Sequence, residues 1–200
     1  RLFKAAAVST TGYLMSRRQP SQPGSGTKGG IRPPLAAGNV GATRVYRVYQ
    51  SPGPIYEPEG GGREGQDYWR LARAMFAAGL RAGDLVHNSF SYHLTPGGVM
   101  MEAGAHALGC TVFPGGVGNT ELQLQAMAEL KPDAYIGTPS FLKILVEKAA
   151  ETGVNIASVK KALLGGEAFP PSLRDWLAER GIAGYQCYAT ADLGLIAYET

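Results

Sequence analysis

From Gln66 onward the chain repeats a single pattern. A short run of β-forming apolar residues meets a glycine or proline break, and roughly 10 to 15 residues with apolar side chains at helical spacing follow. Strands are expected over Leu85–Phe90, Cys110–Phe113, Ala134–Gly137, Val159–Leu164 and Ile182–Tyr188. Helices are expected between them. Asp67 to Ala78 carries Tyr68, Ala72, Met75 and Phe76 on one face, and Gly97–Leu108 is a second helix. A third begins at Asn119 or Thr120 and runs through Leu130, with Glu121 in its first turn. A fourth presents Phe141, Leu145 and Ala149, and a fifth opens on Pro170 and Pro171 before Leu173, Trp176, Leu177 and Arg180. Gly79 and Gly153 stand where helices end in a left-handed residue. Strands spaced by whole helices cannot pair as hairpins. They pair in parallel, with the crossover helices covering both faces, so the fold class is α/β with a parallel sheet flanked by helices.

The first 45 residues stand outside that pattern. They are rich in Gly, Pro, Ser and Arg around Gln19-Pro20-Ser21-Gln22-Pro23-Gly24-Ser25-Gly26, and are expected to form an irregular or disordered arm. The division is thus an arm over 1–45 and an α/β domain over 46–200, entered through a strand from Val45 to Tyr49. The net charge is +3, and the first fifty positions hold no acidic residue. That basic arm lacks interleaved aromatics or a basic helix, so no nucleic-acid partner is expected. Cys110 and Cys187 lie far apart without a CxxC or a His pair and are expected to be buried, reduced thiols. No apolar run approaches the roughly 20 residues of a membrane helix, and no signal-peptide pattern opens the chain. The expectation is a soluble cytoplasmic protein without membrane contact; a homodimer remains an open option.

Ligands of open parallel sheets bind beyond the C-terminal strand ends, and four segments fall there. They are Asn88 to His93, Thr138-Pro139-Ser140, Gly165 to Phe169 and Tyr188 to Asp192. Gly165 and Gly166 clear side chains from a surface where a flat base can lie, and Glu167 adds an acceptor. Thr190 offers a hydroxyl to a phosphate, and Asp192 is a hard oxygen ligand of the kind Mg²⁺ accepts. Tyr92 and His93 can wall or gate a pocket for an acyl group. His87 and His106 fall inside a strand and a helix, where core or interface roles are expected. Ser140, at a helix start, is as suited to capping as to substrate contact. No strand is followed by G-x-G-x-x-G, which argues against a dinucleotide-binding domain.

These segments, in this order, resemble the phenylacetate-CoA ligases, a branch of the adenylate-forming enzymes. The resemblance runs from Gly79 to Glu199. It rests on Gly83 to Asn88, Tyr92 to Gly98, Gly109 to Val112, Gly115 to Glu121, Thr138 to Ser140, Gly165 to Phe169 and Tyr188 to Gly194. It implies an ATP-dependent carboxylate-CoA ligase in which an aryl acid such as phenylacetate forms an acyl-adenylate and is then passed to coenzyme A. ATP, Mg²⁺ and CoA are the implied cofactors and ligands. Gly165, Gly166, Glu167, Tyr188 and Thr190 are implied at the nucleotide, Asp192 at the metal, and Tyr92, His93, Thr138 and Ser140 at the acid. The C-terminal lid of the family is not present in these 200 residues, so the chain is expected to be inactive alone.

The chain also departs from the family. Where a Gly/Ser/Thr-rich phosphate loop with a Lys belongs, it has Ser51-Pro52-Gly53-Pro54-Ile55-Tyr56-Glu57-Pro58. Proline donates no N–H, and Glu57 repels polyphosphate. Ser25 to Gly30 matches such a loop in composition but not in spacing. Ala189 and Ala191 replace a Gly and a hydroxyl residue, and Asp192 replaces a Glu. The alternative is therefore a degenerate homologue that binds an acyl group or nucleotide without adenylation.

Overall fold

A computed structural model of the chain describes residues 3–5, 47–51, 55–59 and 67–200. In chain order the elements are β1 (Phe3–Ala5), β2 (Arg47–Ser51), β3 (Ile55–Glu59), α1 (Ala72–Ala77), β4 (Leu85–Asn88), α2 (Gly97–Ala107) and β5 (Thr111–Pro114). They continue with α3 (Thr120–Leu130), β6 (Ala134–Gly137), α4 (Pro139–Thr152), β7 (Lys161–Leu164), α5 (Pro171–Ala178), β8 (Ala183–Thr190) and β9 (Gly194–Glu199).

Seven strands form one sheet in the order β1-β9-β8-β7-β6-β4-β5. From β8 to β5 every pairing is parallel. The sequence pattern anticipates this parallel part, because strands buried on both faces read as continuous apolar runs. β6 is buried at every position. Its alternate residues enter opposite cores: Ile136 packs with Val86, Leu163, Met75 and Met101 under α1 and α2. Tyr135 instead packs with Leu142, Leu145, Leu164 and Leu177 under α4 and α5. Each such side chain contributes roughly 1.5–3 kcal/mol of transfer free energy, opposed by the entropy of ordering it. At the N-terminal strand ends the Lys161 ammonium closes the sheet, donating to Asp84 Oδ2 at 2.6 Å and to the Gly79 carbonyl at 2.9 Å. Cys110 and Cys187 are free and buried, as expected.

Several local expectations change. The helix expected from Asp67 starts only at Ala72, because the Asp67 carboxylate accepts the N–H groups of Leu71 (2.8 Å) and Ala72 (2.7 Å). A carboxylate that caps a helix cannot lie inside it. Asn119 precedes α3 in a left-handed conformation, φ 48°, and its side chain makes no capping bond. At α4 the cap is Thr138, whose Oγ1 accepts from Phe141 N at 3.3 Å, so Ser140 is not the capping residue. His87 is buried within β4, while His106 is exposed on α2. The last two strands are antiparallel: β8 turns back through β9, and β9 pairs with β1. Phe3–Ala5, inside the expected irregular arm, is therefore a strand, and the rest of residues 1–45 lies outside the described residues. β2 and β3 form a separate antiparallel hairpin.

Candidate functional site

The chain runs from β4 outward to β5 and then returns to β6 on the other side of β4. Neighbouring crossovers therefore leave the sheet in opposite directions at β4 and β6, and in open sheets the edge beyond the C-terminal ends of such strands is where ligands bind. Phe90 follows β4 and Thr138 follows β6, so both border it. Gly166 follows β7 beside them. A methyl placed on Gly166 would lie 3.4 Å from Phe90 Cε1 and 3.6 Å from Thr138 Cγ2, and one on Gly165 would lie 3.1 Å from Cys187 Sγ. Segments from four parallel strands thus meet at one sheet edge. Gly166 has φ +81°, a left-handed value that a side chain disfavours, so its glycine keeps both the turn and the bare surface.

Beside this ledge, Glu167 extends to the start of α4, where its Oε1 accepts from Ser140 N at 2.6 Å. A carboxylate there satisfies an N–H that the helix leaves unpaired and lies favourably against the helix dipole. An open cleft of about 420 Å³ follows, lined by Gly166 to Ala168 and Gln186 to Ala189. Tyr188, 58% exposed, is the aromatic in its lining. Alternation along β8 is broken by a register shift between Tyr188 and Ala189, and such bulges re-aim side chains beside functional sites. The Cys187 thiol beneath Gly165 is pushed up to about 12 by burial, so it is a neutral packing group rather than a nucleophile.

Thr190 and Asp192 sit on the turn joining β8 to β9. Thr190 Oγ1 accepts from Leu193 N at 3.2 Å, and Asp192 is exposed. No group of three His, Cys, Asp or Glu side chains capable of holding a metal occurs among the described residues. Asp192 offers one exposed carboxylate on this turn.

Tyr92 and His93 follow β4 but do not line the cleft. Tyr92 Oη accepts from Asn88 Nδ2 at 2.8 Å, and its ring lies on α2 where Gly98 has no side chain to displace it. Burial, followed by a hydrogen bond to Glu102, raises its phenol above the ordinary range. His93 is exposed, its N–H donating to Ser91 Oγ at 3.2 Å.

Two residues here, Gln186 and Trp69, are invisible to motif reasoning, and the role of a third, Asn88, within its strand-end segment is not readable from type. Asn88, wholly buried, also donates to the Gly98 carbonyl at 2.8 Å and accepts from Phe90 N, which sets both aromatics. Gln186 places an amide at the cleft, donating to the Glu167 carbonyl at 3.3 Å. Trp69 donates from its indole to the Ala191 carbonyl at 2.9 Å. The described ends of the phosphate-loop candidate, Ser51 and Ile55 to Pro58, lie in paired antiparallel strands, with Ser51 opposite Ile55 and Val48 opposite Pro58. Its residues 52–54, and the Ser25 to Gly30 candidate, lie outside the described residues.

Residues 69–200 match the family described as AMP-binding enzyme. Phenylacetate-coenzyme A ligase of Aromatoleum evansii is 33% identical over 175 residues, covering 83% of this chain and 40% of that protein. The enzyme of the same name from Pseudomonas putida is 34% identical over 156 residues, covering 74% and 36%. The chain therefore spans about two fifths or less of the curated relatives it matches. Among solved structures, 2-hydroxyisobutyryl-CoA ligase in complex with 2-HIB-AMP and CoA is 30% identical with a TM-score of 0.63, over 74% of this chain and 34% of that one. An anthranilate CoA ligase in complex with anthranoyl-AMP shares the fold at 18% identity, with a TM-score of 0.61 over 74% and 30%.

Proposed function

Because the chain belongs to the AMP-binding enzyme family, we propose that its protein is an ATP-dependent acid-CoA ligase acting on an aryl acid such as phenylacetate. The observation that carries this reading is the meeting of Phe90, Thr138, Gly166 and Cys187 at one sheet edge, next to an open cleft bounded by Tyr188. A flat base lies on the Gly165–Gly166 ledge with Gln186 and Tyr188 at its rim. The phosphates extend toward Thr190 and Asp192, and Mg²⁺ held by Asp192 would offset their charge. The acid enters from the side of Tyr92, His93, Thr138 and Ser140.

In the first step a carboxylate oxygen of the acid attacks the α-phosphorus and pyrophosphate leaves, giving an acyl-adenylate. In the second the thiol of CoA attacks the acyl carbonyl, loses its proton and displaces AMP. None of the side chains assigned to the cleft forms a covalent bond in this scheme. Their task is to position two anions that repel each other, which makes orientation the main contribution. Both relatives named above as phenylacetate-coenzyme A ligases, and the complexes with acyl-AMP and CoA, support the choice of substrates. The location taken is the cytoplasm, where ATP and CoA are both supplied, and a homodimer is left open. The described chain alone is taken to be inactive, since it spans so small a share of its relatives.

The β2–β3 hairpin favours a second reading. Pro58 and the buried Glu57 stand in a paired strand where flexible backbone donors would wrap a polyphosphate. A homologue that binds an acyl group or nucleotide without adenylation follows from that. Acid-dependent exchange of pyrophosphate into ATP, run on the full-length protein with a panel of aryl acids, separates the two. Exchange with one acid, followed by a CoA thioester, supports the ligase; binding without exchange supports the degenerate homologue.

A further inference from the structure

The turn that bears Thr190 and Asp192 is held from outside the cleft by two adjacent residues. The Trp69 indole donates to the Ala191 carbonyl at 2.9 Å, and the Trp69 carbonyl accepts from Leu195 N at 2.9 Å. The next residue, Arg70, donates from Nη2 to the Leu193 carbonyl. Backbone on both sides of Asp192 is therefore tied to one dipeptide. Gly194 lets the two segments approach this closely: a methyl there would lie 2.6 Å from the Trp69 carbonyl oxygen.

Arg70 adopts φ 63°, uncommon for a residue with a side chain. It is kept there by a turn in which Arg70 N donates to the Asp67 carbonyl while the Asp67 carboxylate caps α1. Non-glycine residues hold such conformations where surrounding bonds impose them, often next to functional sites. On its other side Trp69 meets the β2–β3 hairpin, its ring edge-on to Tyr49 with centroids 6.1 Å apart. β2 ends at Ser51, the first residue of the segment aligned with a phosphate loop.

We propose that Trp69 and Arg70 are positioning residues for the polyphosphate end of the nucleotide site, joining the Thr190–Gly194 turn to the β2–β3 hairpin. This inference rests on the nucleotide-cleft reading above. The base ledge at Gly165 and Gly166 follows β7, and the β8 residues at its rim, Gln186 and Tyr188, precede the clamped turn and make none of these bonds to Trp69 or Arg70. Loosening the clamp therefore affects ligands that carry β- and γ-phosphates and spares those that do not.

The test uses full-length protein in three forms: wild type, Trp69→Phe and Arg70→Asn. Phenylalanine keeps an aromatic ring and removes the indole N–H. Asparagine tolerates the left-handed turn and removes the bond to Leu193, so it decides the matter if the Trp69 variant does not fold. Equilibrium binding is measured for ATP and for AMP, each with Mg²⁺. ATP affinity is expected to fall about tenfold, the worth of one lost hydrogen bond at a fixed site, with AMP affinity within about twofold. Equal losses for both nucleotides, or no loss for either, overturn the proposal. Wild type that binds both nucleotides yet exchanges no pyrophosphate sinks the ligase reading, while the ATP-to-AMP difference still judges the clamp. Wild type that binds neither nucleotide overturns both.

Discussion

The Glu167 carboxylate accepts the backbone N–H of Ser140 at 2.6 Å, so the turn after β7 is tied to the first turn of α4. Replacing Glu167 with Ala leaves that N–H to water and removes an anion from the helix start. A loss of about 1 kcal/mol is expected, comparable to losing a cap. The pair is solvent-exposed, so part of the effect is screened, and the difference between variant and wild type shrinks as salt rises toward 1 M. Urea unfolding at low and high salt measures it. A Glu167→Ala protein with the wild-type midpoint in low salt would show that the bond does not hold the two segments together.

At Gly166 the expected cost has two parts. Alanine there must adopt φ +81°, at roughly 1–2 kcal/mol, and its methyl meets Phe90 Cε1 at 3.4 Å. The second part is functional, because the methyl rises from the surface on which the base lies. Gly166→Ala is expected to weaken AMP as well as ATP, unlike loss of the Trp69 bond, while stability falls by the amount stated. Calorimetric titration with both nucleotides checks this. Unchanged AMP affinity in a folded Gly166→Ala protein would move the base away from the ledge.

The parallel sheet was legible because its strands are short, apolar on both faces and separated by helices, a pattern with few other solutions. The strand-end segments were legible for the same reason, as sheet topology dictates where loops can meet. Other features depend on partners distant in sequence. Tyr68 keeps helical spacing with Ala72, yet the Asp67 carboxylate turns that stretch into a cap. Thr138 rather than Ser140 caps α4, although by type serine is the stronger capping residue. Gly137 ends a strand in the sequence, but its missing side chain also makes room for the Ser89 and Tyr135 hydroxyls that bond across the sheet. Asn88, Gln186 and Trp69 look like ordinary strand or helix residues, and only three-dimensional contact reveals what they hold.

His87 gives a pH dependence with a definite sign. Its ring is buried between Phe113 and Tyr135, and its Nε2 lies 2.6 Å from Gln123 Oε1. Burial lowers its basicity below the ordinary value, the bond to Gln123 opposing that shift only in part. In the unfolded chain the imidazole takes a proton near pH 6.5, whereas in the folded protein it stays neutral to lower pH. The contribution of neutral His87 is therefore intact above about pH 6.5 and is lost as pH falls from there toward the folded-state value. The slope approaches about 1.4 kcal/mol per pH unit inside that window. Urea titrations of wild type and His87→Asn at half-unit steps from pH 7.5 to about 5 measure it. Identical slopes in the two proteins would show that another group carries the effect.

Glu199 and Arg174 extend the same logic from titration to pairing. The Glu199 side chain is 5% exposed and divides its oxygens: Oε1 accepts from Arg174 at 2.7 Å, and Oε2 accepts from Gln186 N at 2.8 Å. Arg174 also donates to the Gly184 carbonyl at 2.8 Å and lies over the Phe169 ring. Removing either partner strands a charge in a poorly hydrated place. Glu199→Ala and Arg174→Met are each expected to cost about 3–5 kcal/mol. The double variant is expected to cost clearly less than their sum, since neither charge is then left alone. Glu199→Ala carries a further consequence that Arg174→Met does not, because it frees the N–H of Gln186 in the strand that borders the cleft. At temperatures where both proteins remain folded, Glu199→Ala should weaken nucleotide binding more than Arg174→Met. Equal binding in the two would confine Glu199 to stability and remove it from the support of the site.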